Sequence, residues 1–190
     1  VKMAGDAKQL TSTRIATGEA DTLIGADIIV SAGDEVLSTL VPGKSGAIVS
    51  THLTPTAEFS RNPDWKIDET LLVKRLSGAV EGQLLTLDAI ALAEKVLGDA
   101  VFANTLLLGA AWQRGGIPVS HQAMMRALEL NGVAVDTNRA AFELGRLAAH
   151  DPAQAERLLG IHDEPANAAE ESLDAVIERR AAFLVDYQDE

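Results

Sequence analysis

Histidine, cysteine and carboxylate side chains are the groups whose spacing could reveal a reaction centre in this chain of 190 residues. The four histidines, at positions 52, 121, 150 and 162, show no metal-ligand spacing with one another or with a carboxylate pair. Cysteine is absent, which excludes disulfides, thiolate nucleophiles and cysteine-ligated iron–sulfur or zinc sites within these residues. We therefore predict neither a catalytic residue nor a metal site in this chain alone.

Small and polar residues follow two apolar runs, residues 27–31 and 46–50, that are typical of buried parallel strands. Ligands of open parallel sheets bind beyond the carboxyl ends of the strands, where helix N-termini offer free amides. The candidate cofactor-binding residues at these two ends are Ser31, Gly33, Asp34, Thr51, His52, Thr54, Thr56 and Glu58.

Each candidate also has a simpler structural interpretation. Gly33 and Asp34 suit a tight turn followed by a helix N-cap. His52 suits a hydrogen-bonded loop residue more readily than a general base. The long connection 54–65, which Phe59 and Trp65 can anchor, is either a binding loop or an ordered connection without a ligand.

Phosphate-binding motifs are incomplete in this sequence. Pro42-Gly43-Lys44-Ser45 is similar to the end of a phosphate-binding loop, but the residue five positions before Gly43 is Ser38 and the segment leads into a strand. The pattern G-x-G-x-x-G does not occur. A self-sufficient dinucleotide site of the usual kind is therefore not predicted, and residues 42–45 are expected to form a loop.

The elements that must position these residues indicate an α/β fold. A helix over about residues 35–40, capped by Asp34, connects the two apolar runs, which implies a crossover between parallel strands. Residues 83–87 are a third candidate strand, and the alternation over residues 10–15 suggests an edge strand.

The second half of the chain is predicted to be helical. Asp68, Asp88, Ser120 and Asp136 each suit a helix N-cap before an apolar stripe, and residues 100–112 form an almost wholly apolar, buried helix. We therefore predict a three-layer, mostly parallel, Rossmann-like sheet with a helical C-terminal half. The domain is expected to span residues 1–150, followed over 151–190 by a linker and a C-terminal helix.

The net charge and the hydropathy of the chain exclude some classes of binding partner. The formal net charge is −12, which repels phosphate backbones and anionic lipid, so neither nucleic acid nor a membrane surface is an expected partner. No apolar stretch reaches the length of a membrane span, and no charged-then-apolar leader opens the chain. We expect a cytoplasmic protein.

A family resemblance covers residues 10–188. Gly18-Glu19-Ala20-Asp21, the segment 54–59 with Asn62-Pro63-Asp64, Ala111-Trp112-Gln113 and Glu129-Leu130-Asn131-Gly132 resemble, in order and spacing, the γ-type domain of 2-oxoacid:ferredoxin oxidoreductases. Asn104, Asn138, Ala141-Phe142 and Gly145-Arg146 extend the likeness. The fused indolepyruvate ferredoxin oxidoreductases are the members it resembles most. The glycine-rich strand–turn–helix that opens family domains is missing here.

The resemblance implies one part of an enzyme that oxidatively decarboxylates a 2-oxoacid, such as indolepyruvate or pyruvate, to an acyl-coenzyme A and reduces ferredoxin. Thiamine diphosphate and iron–sulfur clusters would lie in other domains or subunits, on which this domain packs while helping to hold coenzyme A. Asn104 joins the candidate binding residues on this ground, and a homo-oligomer is expected. Two alternatives remain open: a free-standing nucleotide or small-ligand module without catalysis, and a structural interaction domain.

Overall fold

The computed structural model describes residues 1–6, 8, 10, 12–53 and 68–160. The chain divides after residue 159, and its described residues up to that point form one compact unit. The strands of the first unit are β1 Thr22–Gly25, β2 Gly46–Ser50 and β3 Leu84–Leu87. Its α-helices are α1 Ile28–Ser31, α2 Asp34–Leu37, α3 Glu69–Val80, α4 Ala89–Leu97, α5 Ala103–Gln113, α6 His121–Asn131, α7 Val135–His150 and α8 Pro152–Leu159, with a 3₁₀ turn at Ala100–Phe102.

The described sheet is parallel throughout, in the order β1-β2-β3. Leu23 lies beside Ala47 at the junction of β1 and β2, and Ile48 lies beside Leu85 at the junction of β2 and β3. The predicted strand at residues 46–50 is confirmed, and the one at 83–87 is confirmed from Leu84 onward. The α/β class with a parallel, Rossmann-like sheet is therefore confirmed.

The predicted strand at residues 27–31 is wrong, because this run forms helix α1 and the strand lies earlier, at Thr22–Gly25. The reason is the Asp27 carboxylate, which accepts hydrogen bonds from the amides of Ile29 at 2.7 Å and Val30 at 3.1 Å and so caps a helical turn. A short apolar run is compatible with either element, and this local cap favours the helix. The predicted edge strand at 10–15 is also wrong for its described residues, which form no strand.

The sheet separates two hydrophobic cores. Val49 of β2 packs with Ile28 and Leu76 on the face covered by α1 and α3. Its neighbour Ile48 packs with Leu106 on the opposite face, against α4, α5, α7 and α8. Successive strand residues point to opposite faces, so β2 contributes to both cores and the unit has three layers.

Three of the five predicted helix N-caps are confirmed and two are wrong. The side chains of Asp68, Asp88 and Ser120 accept hydrogen bonds from backbone amides of the first turns of α3, α4 and α6, which confirms them as N-caps. Asp34 and Asp136 were predicted to be N-caps but lie inside the first turns of α2 and α7, because the extended backbone of Gly33 and the left-handed backbone of Ala134 occupy the cap positions.

The helical half is built around α5 and α7. Leu106 and Ala110 of α5 and Phe142 of α7 are fully buried, so the predicted buried helix over 100–112 is confirmed, with its first residues in a 3₁₀ turn. Helix α8 packs on α4 and α7. The C-terminal helix predicted within 151–190 lies in 161–190, outside the described residues. The domain boundary at residue 150 stays a prediction. No described helix is long and apolar enough to cross a bilayer.

Candidate functional site at the carboxyl edge of the sheet

The carboxyl ends of β2 and β3 bring two chemically capable side chains together. The two strands are parallel neighbours, and their pairing continues past β2 because the Thr51 amide donates to the carbonyl of Leu87 at 3.0 Å. His52, which follows on the β2 side, therefore lies beside Asp88, which follows β3 directly. We name this group, with the buried Ser50, the carboxyl-edge site.

The imidazole of His52 is oriented by Asp88. Its Nδ1 atom lies 3.3 Å from one carboxylate oxygen of Asp88 and 3.4 Å from the other. The same carboxylate accepts the amide hydrogen of Ala91 at 2.8 Å as the N-cap of α4, so its position is fixed from two sides. About a third of each side chain is exposed, 36% for His52 and 34% for Asp88, so a ligand can reach the pair.

Two amides at the start of α4 have partners inside the protein. The amide of Ala89 donates to the fully buried hydroxyl of Ser50 at 3.3 Å, and the amide of Ala91 donates to Asp88. Helix N-termini attract anions through amides that lack a partner. These two amides already have one, and the imidazole of His52, 36% exposed, is a polar group at this edge that a ligand can reach.

The predicted residues of the first loop have local contacts. Ser31 is buried in α1 and donates its hydroxyl hydrogen to the carbonyl of Asp27 at 2.6 Å. Gly33 is the N-cap of α2, and the nearly fully exposed Asp34 forms an ion pair with Arg75 of α3. These are the contacts that a turn and a helix start require. The role of all three as ligand contacts stays a prediction.

The remaining predicted residues are not brought into the described site. Asn104 is exposed in the first turn of α5, and the structure gives it no hydrogen bond to Ser50, His52 or Asp88. Thr54, Thr56 and Glu58 lie outside the described residues, together with the rest of the connection 54–65. Thr51 is half-buried, and its backbone amide donates a hydrogen bond to Leu87 at the end of β3.

Sequence reasoning missed two members of the site: Asp88, which was interpreted only as a helix cap, and Ser50, which was placed only at the end of a strand. The signal for Asp88 was an aspartate directly after the third apolar run, at the same relative position as the polar residues after β2. Recognising it required knowing that β2 and β3 are neighbours. Within the described ranges, no group of three or more His, Asp or Glu side chains is placed to hold a metal ion.

Several residues of the family-like pattern tie helices together. The indole nitrogen of Trp112 donates to the carbonyl of Val119 at 2.6 Å, and the guanidinium of Arg146 lies 4.9 Å from the centre of the Trp112 ring. Arg146 also donates to the side-chain oxygen of Gln113 at 3.1 Å. These contacts fix the end of α5 against α7.

A cavity of about 340 Å³ opens at the opposite, amino edge of the sheet. It lies between the starts of the strands and the end of α5, and it is lined in part by Lys44, Gln83 and Arg114. Lys44 is paired there with Asp21 at 3.2 Å. Residues 42–45 form the expected loop, and Lys44 is part of the wall of this cavity.

The three layers, the parallel sheet and the polar pair beyond its strands define a Rossmann-like α/β domain of the kind that carries a ligand site at one edge of its sheet. The family model for pyruvate ferredoxin/flavodoxin oxidoreductase matches residues 1–148. The chain belongs to that family. Comparisons with curated proteins and with solved structures found no match.

Proposed function

We propose that this chain is the γ-type domain of a thiamine-diphosphate-dependent 2-oxoacid oxidoreductase that passes electrons to ferredoxin, with indolepyruvate as the 2-oxoacid. The observation that carries the proposal is the family match over residues 1–148. The motif order in the sequence, including Ala111-Trp112-Gln113, supports the indolepyruvate member.

The composition of this chain indicates which cofactors of such an enzyme other domains or subunits would hold. The sequence contains no cysteine, so the ligands of iron–sulfur clusters would come from other domains or subunits. Thiamine diphosphate would likewise be held elsewhere and would supply the carbanion chemistry that decarboxylates a 2-oxoacid. This chain would pack on those catalytic domains and present its carboxyl-edge site to them.

Coenzyme A is the proposed ligand of the carboxyl-edge site, and the residues there fit its reactive end. The imidazole of His52 can accept a hydrogen bond from a thiol, while Asp88 holds the ring in place. The phosphates require cations, and Arg75 of α3 is already paired with Asp34. We therefore assign the thiol end to this chain and the phosphate contacts to the domains that pack on it.

The test is reconstitution of the oxidoreductase with and without this chain. The chain is combined with the polypeptides that carry the thiamine and iron–sulfur sites, and reduction of ferredoxin is followed with coenzyme A and indolepyruvate, pyruvate or 2-oxoglutarate. We expect reduction that requires this chain and is fastest with indolepyruvate. A preference for another 2-oxoacid would change the substrate assignment, and no reduction with any of the three would overturn the proposed function.

The cavity at the amino edge favours one alternative, a nucleotide or small-ligand module. Arg114 in its wall is a group that binds phosphate, whereas Lys44 there is already paired with Asp21. This alternative predicts that the chain binds a nucleotide by itself and that Arg114→Gln weakens the binding. Calorimetry with ATP, NAD and coenzyme A distinguishes the two proposals. The oxidoreductase proposal places the ligand contact at His52, so Arg114→Gln should then leave binding unchanged.

A further inference from the structure

The pair His52–Asp88 forms an oriented acid–base unit. When neutral, an imidazole carries one proton, and a carboxylate beside Nδ1 favours the form in which that nitrogen bears it. Among the described residues, the hydrogen bonds of His52 all involve Nδ1. The lone pair of Nε2 is then available to a ligand, and the ring can take up a second proton while Asp88 compensates the charge.

A proton donor of suitable acidity is the ligand group that matches this arrangement. An ordinary imidazole and an ordinary thiol differ by about two pKa units, whereas an alcohol is far less acidic. Proton transfer from a thiol to an oriented imidazole therefore needs little further help, as in other histidine-activated thiols. Asp88 next to the ring also disfavours a carboxylate or phosphate at the same position.

We propose that Nε2 of His52 accepts the proton of a ligand thiol at the carboxyl-edge site, and that Asp88 is the positioning residue that keeps Nε2 free for it. The S–H bond breaks, an N–H bond forms at Nε2, and the electron pair stays on sulfur as a thiolate. No oxidant or reductant takes part. For the identity of the ligand, coenzyme A, this inference rests on the proposed function.

The first test measures the protonation form of the ring by nitrogen NMR of the full chain. We expect the wild-type ring to carry its proton on Nδ1. In Asp88→Asn the side-chain oxygen still caps α4, because asparagine caps as well as aspartate, and its amide group turns toward His52. The ring proton should then move to Nε2. The same change of tautomer occurs in serine proteases when the aspartate beside the catalytic histidine is replaced by asparagine.

Asp68→Asn is the matched control for this change. Asp68 caps α3 through the amide of Leu71, as Asp88 caps α4 through the amide of Ala91, and among the described residues it has no contact with a histidine. The control should leave the protonation form of His52 unchanged. If the wild-type ring carries its proton on Nε2, or if Asp88→Asn and Asp68→Asn behave alike, the positioning role of Asp88 is overturned.

The second test compares coenzyme A with desulfo-coenzyme A, which lacks the thiol. A charge-assisted hydrogen bond corresponds to about tenfold to a hundredfold in affinity, so the oxidoreductase reconstituted with the wild-type chain should bind coenzyme A tighter by that factor. Bound coenzyme A should show thiolate absorbance at neutral pH. Both effects should disappear in His52→Gln and persist in Asp68→Asn, with thermal midpoints reported for all variants.

The outcomes separate this inference from the proposed function. Equal binding of the two ligands without thiolate absorbance overturns the role of His52 and leaves coenzyme A as a ligand of the domain. Binding of neither ligand overturns the thiol site altogether. The oxidoreductase assignment is judged separately by the ferredoxin-reduction assay, which does not depend on these variants.

Discussion

Gly145 of α7 lies against the backbone of Leu106 in α5, so closely that a β-carbon on Gly145 would be 1.8 Å from the carbonyl oxygen of Leu106. The reciprocal contact is made by Gly109, where a β-carbon would be 2.0 Å from the carbonyl oxygen of Phe142. Two glycines thus allow the backbones of α5 and α7 to meet directly. This crossing is the centre of the helical half.

Replacing Gly145 by alanine should destabilise the domain by about 3 kcal/mol, because the new methyl group meets backbone atoms that cannot move aside. Chemical unfolding of Gly145→Ala against the wild type measures the change. Gly78→Ala is the control: this glycine lies in α3 with nothing within 4 Å of the added carbon, and there alanine should stabilise by up to about 1 kcal/mol. Equal effects of the two changes would contradict the close crossing.

Removing the cap at Asp88 should cost about 1 kcal/mol in the free energy of unfolding, because the amide of Ala91 loses its acceptor. Asp88→Ala tests this, and Asp88→Asn should retain most of the stability. Asp68→Ala provides the comparison for α3. A loss in Asp88→Asn as large as in Asp88→Ala would show that the carboxylate charge, rather than the cap, stabilises this edge.

The left-handed backbone of Ala134 predicts a stabilising substitution. Its φ is 40° at the start of α7, a region that costs a residue with a β-carbon about 1 kcal/mol. Ala134→Gly should therefore raise the free energy of unfolding by about 0.5–1 kcal/mol. The control is Ala127→Gly on the exposed side of α6, expected to lower it by about 1 kcal/mol. A loss at both positions would argue against the left-handed conformation.

Glu129 makes stability depend on pH in a defined direction. A hydrogen bond from Arg126, reinforced by the charge of Arg139, holds the pKa of the Glu129 carboxyl below its ordinary value. A group whose pKa is lowered by folding stabilises the protein above the pKa of the unfolded chain. That contribution is lost as the pH falls through the lower value of the folded state.

Arg126→Gln should raise the pKa of Glu129 and weaken this dependence in the acid range, below about pH 4.5. Carbon NMR titration of the Glu129 carboxyl measures the first effect, and urea unfolding between about pH 5 and pH 3 measures the second. Arg157→Gln, in helix α8, is a control that should leave Glu129 unchanged. An unaltered titration of Glu129 in Arg126→Gln would refute the assignment of cause.

Local signals in the sequence were sufficient for much of this fold. Asp68, Asp88 and Ser120 were identifiable as caps because each satisfies an amide only three residues away. The left-handed glycines Gly98 and Gly132 end α4 and α6 for an equally local reason. The parallel class was predicted from two continuous apolar runs, of which 46–50 is a strand and 27–31 is not.

Longer-range features were beyond the sequence. The strand before α1 was misplaced because apolar residues lie on both sides of Asp27. The helix begins after Asp27 because its side chain caps the first turn. The contact between His52 and Asp88 joins residues 36 positions apart and depends on which strands are neighbours. No pattern in the sequence specified that order, so the site could be predicted on the β2 side and not on the β3 side.

The position of β2 between the two cores has a consequence for hydrogen exchange. Ile48 is buried in one core and Val49 in the other, so local opening of either helical layer leaves β2 covered on its second face. Its amide hydrogens should therefore exchange with solvent only when the whole domain unfolds, whereas amides of α6, which has no buried residue, should exchange through small openings. Exchange rates along β2 would then report the global free energy of unfolding directly.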